Sequence, residues 1–224
     1  MEQFDQAIAR SQESIISTNK VLKNTYMLLS ATLGFSAVTA VISMALAVPV
    51  WTYIASIIVS MVLGMFVLPR TANSAAGIGV IFLITGLMGF GLGAILQIYA
   101  ALPQGPQVIA TAFGGTAAIF LGLSGYALTS RKDFSFMGGF LMAGFLVVLL
   151  AVIGNLFFAI PALSLGISAV VILLMSGFIL FDTSRIIHGG ETNYIMATYG
   201  LYLSIFNIFI NLLHLLMAFA GGDD

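Results

Sequence analysis

Four long stretches of the chain carry no charged residue. Between Lys23 and Arg70 lie 46 such residues, between Arg70 and Arg131 60, between Asp133 and Asp182 48, and between Glu191 and Asp223 31. A helix crosses a hydrocarbon core of ~30 Å with about 20 apolar residues at ~1.5 Å each. The first three stretches therefore each hold two spanning helices and a turn, and the fourth holds one. Proline marks the turns. Pro49 splits the first stretch, Pro103 and Pro106 the second and Pro161 the third, while Pro69 stands just before Arg70. Proline costs least at helix boundaries, where its missing N–H is not needed. The pattern predicts seven helices over residues 23–47, 50–68, 75–99, 107–129, 135–158, 162–187 and 194–219.

Composition sharpens this. Of 224 residues, 60% are hydrophobic and 7% charged, with a net charge of −1 and no Cys. An ordinary soluble domain carries roughly a quarter charged residues. A soluble globule, a disordered chain and a nucleic-acid binder are excluded, as are disulfides and thiolate metal sites. The reading is all-α: a polytopic protein with the lipid bilayer around it, no cofactor and no catalysis.

With seven spans, all seven basic residues (Arg10, Lys20, Lys23, Arg70, Arg131, Lys132 and Arg185) fall on one side, and the chain ends Asp223-Asp224 on the other. The positive-inside rule predicts a cytoplasmic N-terminus and a periplasmic C-terminus. Trp51, Tyr53 and Tyr99 suit an aromatic belt on the outer side. Residues 1–22 are expected to be a cytoplasmic tail rather than a cleavable signal peptide, because they are mostly polar and run into an uninterrupted span. Phe4, Ile8 and Ile15 either share a face against the membrane or belong to a solvated tail. Residues 23–224 form the bundle.

Glycine numbers 24 and falls mostly inside helices. Gly89 and Gly93 form a GxxxG pair, and Gly114-Gly115, Gly138-Gly139 and Gly144 follow in the next two helices. Small residues let helix backbones approach closely in lipid. Four polar features stand inside spans. Asp182 is the first: an acid there faces a bundle interior or cavity, or pairs with Arg185 three residues on. The helix 7 stripe Ser204, Asn207, Asn211 and His214 shares one face; it either hydrogen-bonds between helices or walls a proton or ion path. Asn155 and Gln97 read as hydrogen-bonded core residues. No Lys lies inside a span to carry retinal, the two His stand at opposite membrane faces, and Ser204 and His214 are too far apart for a dyad.

Several segments resemble the Bax inhibitor family of seven-helix proteins, within it the bacterial YccA branch. They are Gly177-Phe178-Ile179-Leu180-Phe181-Asp182-Thr183-Ser184, Lys23-Asn24-Thr25-Tyr26, Gly114-Gly115-Thr116-Ala117, Arg131-Lys132-Asp133-Phe134-Ser135-Phe136 and the run from Ile187 to Ile195. The resemblance covers nearly the whole chain. It implies six helices around a central helix 7, and two functions. In channel-like members, aspartates on helices 6 and 7 share a proton and, with a basic residue near helix 2, gate a pH-sensitive calcium leak. Asp182 matches the first aspartate, Ser204 stands at the second, Asn207 lies one turn on, and Arg70 is the candidate basic partner. One carboxylate and one hydroxyl cannot share a proton as two carboxylates do. In the YccA branch the implied role is modulation of the membrane-anchored AAA protease FtsH in the bacterial inner membrane. Residues 1–22 would then be an engagement handle. The alternative keeps calcium or protons as the species handled.

Overall fold

The computed structural model describes residues 2–221, and side chains from residue 18 onward. The expectations for Phe4, Ile8 and Ile15 rest on side chains outside the described ones, and the Asp223-Asp224 end lies outside the described residues.

Seven helices are long and apolar enough to cross a membrane. We label them α1 (Glu2–Ala45), α2 (Trp51–Thr71), α3 (Ala75–Ala100), α4 (Gly105–Ser130), α5 (Gly138–Phe158), α6 (Pro161–Ile187) and α7 (Tyr194–Ala220). A 3-10 turn, Ser135–Met137, precedes α5. The chain is thus an all-α, multi-pass membrane protein with the helix count its charge pattern predicts.

Two boundaries depart from that pattern. The first helix begins at Glu2, and its spanning part at Thr18, ahead of residue 23. Residues 2–22 contain no Gly or Pro, so nothing local stops a helix that the apolar segment nucleates. The second helix does not end before Pro69 but runs through it to Thr71, and Leu63–Val67 take a π turn just upstream. Proline's absent N–H and its ring break the i→i−4 ladder. A π turn absorbs that break without ending the helix.

Helix α7 lies at the centre. It packs against α1, α3, α4 and α6, Tyr199 reaches α2 at Gly64, and only Ala218 and Phe219 on α7 are exposed. Helix α5 stands outside the ring, behind α6, with Leu141 as its one buried residue.

Packing between helices in lipid rests on close approach rather than on the hydrophobic effect. The α1–α3 seam illustrates this. A methyl added at Gly89 would sit 2.2 Å from the Ser36 carbonyl oxygen, and one at Gly93 2.3 Å from that of Ala40. Only glycine permits this approach. The GxxxG pair is therefore a backbone-to-backbone contact.

Candidate functional site at the basic end of the bundle

The helix ends and loops around Arg70, Arg131, Lys132 and Arg185 are bonded to one another. Helix α6 stops at Gly189, whose φ of +73° suits glycine, and the Gly190 N–H returns to the Arg185 carbonyl at 2.8 Å. This is the helix-ending geometry that glycine favours. The reversal brings Glu191 back to Arg185, with Nη2 to Oε2 at 3.6 Å. Asn193 then caps α7: its Oδ1 accepts from the N–H groups of Ile195 at 2.9 Å and Met196 at 3.1 Å. Its Nδ2 donates to the Ala72 carbonyl at 3.0 Å and to Asn73 Oδ1 at 2.8 Å. One side chain thereby starts α7 and ties it to the α2–α3 loop.

A second tie joins α6 to the α4–α5 loop. Ser184 Oγ accepts from the Phe134 N–H at 2.9 Å and donates to the Lys132 carbonyl at 3.3 Å. His188 spans the same gap, with Nδ1 2.9 Å from the Ser184 carbonyl and Nε2 3.1 Å from that of Arg131. Asp133 completes the loop. Hydrogen bonds from Ser135, whose N–H stands 2.8 Å from Oδ1, hold its carboxyl below the usual carboxylate range, with a smaller contribution from His188.

Asp182 lies just inside this end. Its carboxylate faces Gly200 of α7, where an added methyl would sit 2.9 Å from Oδ2. Arg185, expected as its i+3 partner, turns instead to Glu191 and lies over the Phe181 ring at 5.5 Å. Among the described residues, no hydrogen bond or ion pair reaches the Asp182 carboxylate. Thr183 follows it and is fully buried without a partner for Oγ1; the same holds for Thr25 on α1. Thr198, two residues before Gly200, donates to the Thr25 carbonyl at 3.2 Å. A buried hydroxyl left unpartnered costs about 1–3 kcal/mol.

The other residues selected from the sequence lie elsewhere. Ser204 is buried one turn beyond Gly200. Asn207 donates to the carbonyl of Leu203 at 2.8 Å and lines a groove with Tyr53 and Ser60 of α2. Asn211 donates to Asn207, and His214 Nδ1 lies 2.9 Å from Ser168 Oγ. Arg70 donates to the Phe66 carbonyl of its own helix at 2.9 Å. Gln97 donates to the Val48 carbonyl at 2.7 Å, and Asn155 accepts from the Ile160 N–H at 3.0 Å. The structure therefore brings Asp182 to α7 at Gly200, and no hydrogen bond or ion pair among the described residues joins it to Ser204, Asn207 or Arg70. Among the described residues, no three His, Cys, Asp or Glu side chains converge as a metal site would require.

Two features escaped the sequence reading. Asn193 precedes an apolar run, which is an N-cap signature. Tyr202, at the core of α7, holds Ser36 Oγ at 2.8 Å and the Thr85 carbonyl at 3.3 Å; nothing in its local sequence marks it.

The family described as inhibitor of apoptosis-promoting Bax1 matches residues 18–221. The chain belongs to the Bax inhibitor family. It is 52% identical over 222 residues to the modulator of FtsH protease YccA of Escherichia coli K12, covering 98% of this chain and 100% of that protein. The inner membrane protein YccA of Escherichia coli O6:H1 matches equally. A membrane protein of Vibrio cholerae is 50% identical over 213 residues, 95% of this chain and 96% of its own.

Proposed function

We propose that this protein binds a membrane-anchored AAA protease of the FtsH type in a bacterial inner membrane and restrains its proteolysis of membrane proteins, without catalysis of its own. The observation that carries this reading is the end-to-end similarity to a protein named as an FtsH modulator. The N-terminal segment and the three basic connections, α2–α3, α4–α5 and α6–α7, then face the cytoplasm, and the C-terminus the periplasm, as the positive-inside rule requires. The segment before Thr18 is the engagement handle. It is helical, but a mostly polar helix is marginal in water by itself and unwinds readily under pulling. The spans behind it resist extraction because each holds some 20 apolar residues in lipid. Deletion of residues 2–17 tests the handle: the bundle inserts as before, and the chain's protease-dependent half-life lengthens. An unchanged half-life contradicts it.

A second reading has its own support. A carboxylate in a spanning helix that no hydrogen bond or ion pair reaches among the described residues is chemistry that a proton or cation would satisfy, so the alternative is a proton-sensitive calcium or cation leak past Asp182. In liposomes the unmodified chain is expected to pass little calcium, because Ser204 cannot share a proton with Asp182. A large pH-dependent flux abolished by Asp182→Asn would promote this reading over the first.

A further inference from the structure

Helices α1 and α4 touch through Tyr26. Its hydroxyl is hydrogen-bonded to Ser124, and its ring lies 6.2 Å from that of Phe120. Beyond this contact, toward the end opposite the basic loops, the two helices part. A cavity of about 490 Å³ opens between them, floored by Tyr202, Phe206 and Phe209 of α7. We propose that this cleft is an acyl-chain site, in which one hydrocarbon tail of a bilayer phospholipid lies between α1 and α4 against α7.

Three observations carry the proposal. The first is place. Every lining residue belongs to a spanning helix, and the rim residues Val41 and Phe113 are 64% and 66% exposed. The cleft is thus continuous with the surface this membrane protein presents to lipid, and the medium at its mouth is hydrocarbon. The second is chemistry. The polar groups in the lining are hydroxyls that already have partners: Ser36 with Tyr202 at 2.8 Å, and Thr116 with the Ala112 carbonyl at 2.7 Å. Nothing there asks for a polar ligand. The third is size. A helix about 10 Å across and ~30 Å long is several times larger than the cavity, so a partner's spanning helix does not fit. A slender flexible chain does, and an unfilled space would forfeit the dispersion contacts of its lining. Gly34 leaves the wall open, with no atom within 4 Å of an added methyl.

The test uses the whole chain in phosphatidylcholine–phosphatidylglycerol vesicles containing a small fraction of phospholipid with a mid-chain diazirine. Photo-adducts are mapped by mass spectrometry. Val147 and Leu150 on α5 are 65% and 68% exposed, which matches the rim, and they serve as the reference. Adducts at Val41 and Phe113 are expected several-fold above that reference. Gly34→Leu, and separately Ala37→Trp, should lower them to it while labelling of α5 stays constant and reports normal insertion. Equal labelling of rim and α5 in the unmodified chain would overturn the proposal, as would enrichment that survives both substitutions. Loss of the enrichment as the protein-to-lipid ratio rises would give the cleft to a second copy of the chain, and would also overturn it.

Discussion

Helix α1 has two neighbours across which it behaves in opposite ways. Toward α3 it is zipped: Gly89 and Gly93 lie against its backbone oxygens at distances no side chain tolerates. Toward α4 it is held at Tyr26 and then opens into the cleft. Both seams carry small residues, yet Gly34 in the open one has no atom within 4 Å of an added methyl. Glycine content alone therefore does not close a membrane seam. It closes one where glycines fall in register with a facing backbone, and elsewhere it leaves space for something else to fill.

That contrast can be broken from the zipped side. Gly89→Leu places a side chain into the Ser36 carbonyl and should destabilise the bundle by about 3 kcal/mol or more, at the upper end of overpacking effects. Gly34→Ala on the open side should instead be neutral or stabilising by up to ~1 kcal/mol, the ordinary helix preference of alanine over glycine. Unfolding titrations in mixed micelles read both, and equal costs would erase the distinction between the seams. Tyr202→Phe is next. Tyr202 floors the cleft and also binds α1 and α3 through Ser36 and Thr85. Its removal leaves the Ser36 hydroxyl unpartnered and should cost about 1–2 kcal/mol in the same titration.

The ends of the helices offer smaller handles on the same comparison, because the loop ties set how far α4 and α7 can move from α1. Asn193→Ala removes the α7 cap and the bond to the α2–α3 loop. A loss of ~1 kcal/mol or somewhat more is expected, together with faster exchange of the Ile195 and Met196 amides. Asp133 gives the smallest effect and a defined pH dependence. Its carboxyl is held below the usual range in the folded chain, so the ionised form contributes stability that is present above the unfolded value. That contribution is lost as pH falls through the lowered value. Protection of the Ser135 amide should decline over that acidic window, and Asp133→Asn should remove the dependence.

The spans were legible because charge and proline are local signals that a bilayer enforces. The continuation of α2 through Pro69 was not, since a π turn depends on what the helix packs against, here Tyr199 at Gly64. The centrality of α7 came from resemblance, while the position of α5 outside the ring had no signal in its uniformly apolar sequence. At the site, Asp182 stood out by its charge in a span, but its neighbours could not be read from the sequence. The i+3 spacing to Arg185 suggested a pair, yet the turn at Gly189 folds Glu191 back to take that guanidinium. Likewise Ser204 and Asn207 share a helix face with the right period, while the carboxylate lands one turn earlier, at Gly200. Which residue meets which across a seam depends on helix register, and one helix's periodicity does not contain that.

The central claim is that the chain restrains an FtsH-type protease rather than passing ions. The most direct measurement is the rate at which that protease, co-reconstituted in proteoliposomes, degrades a membrane-protein substrate as this chain is added. The account predicts a rate that falls with increasing chain and recovers when residues 2–17 are deleted. A rate unaffected at every ratio, with the chain inserted and folded, would contradict it.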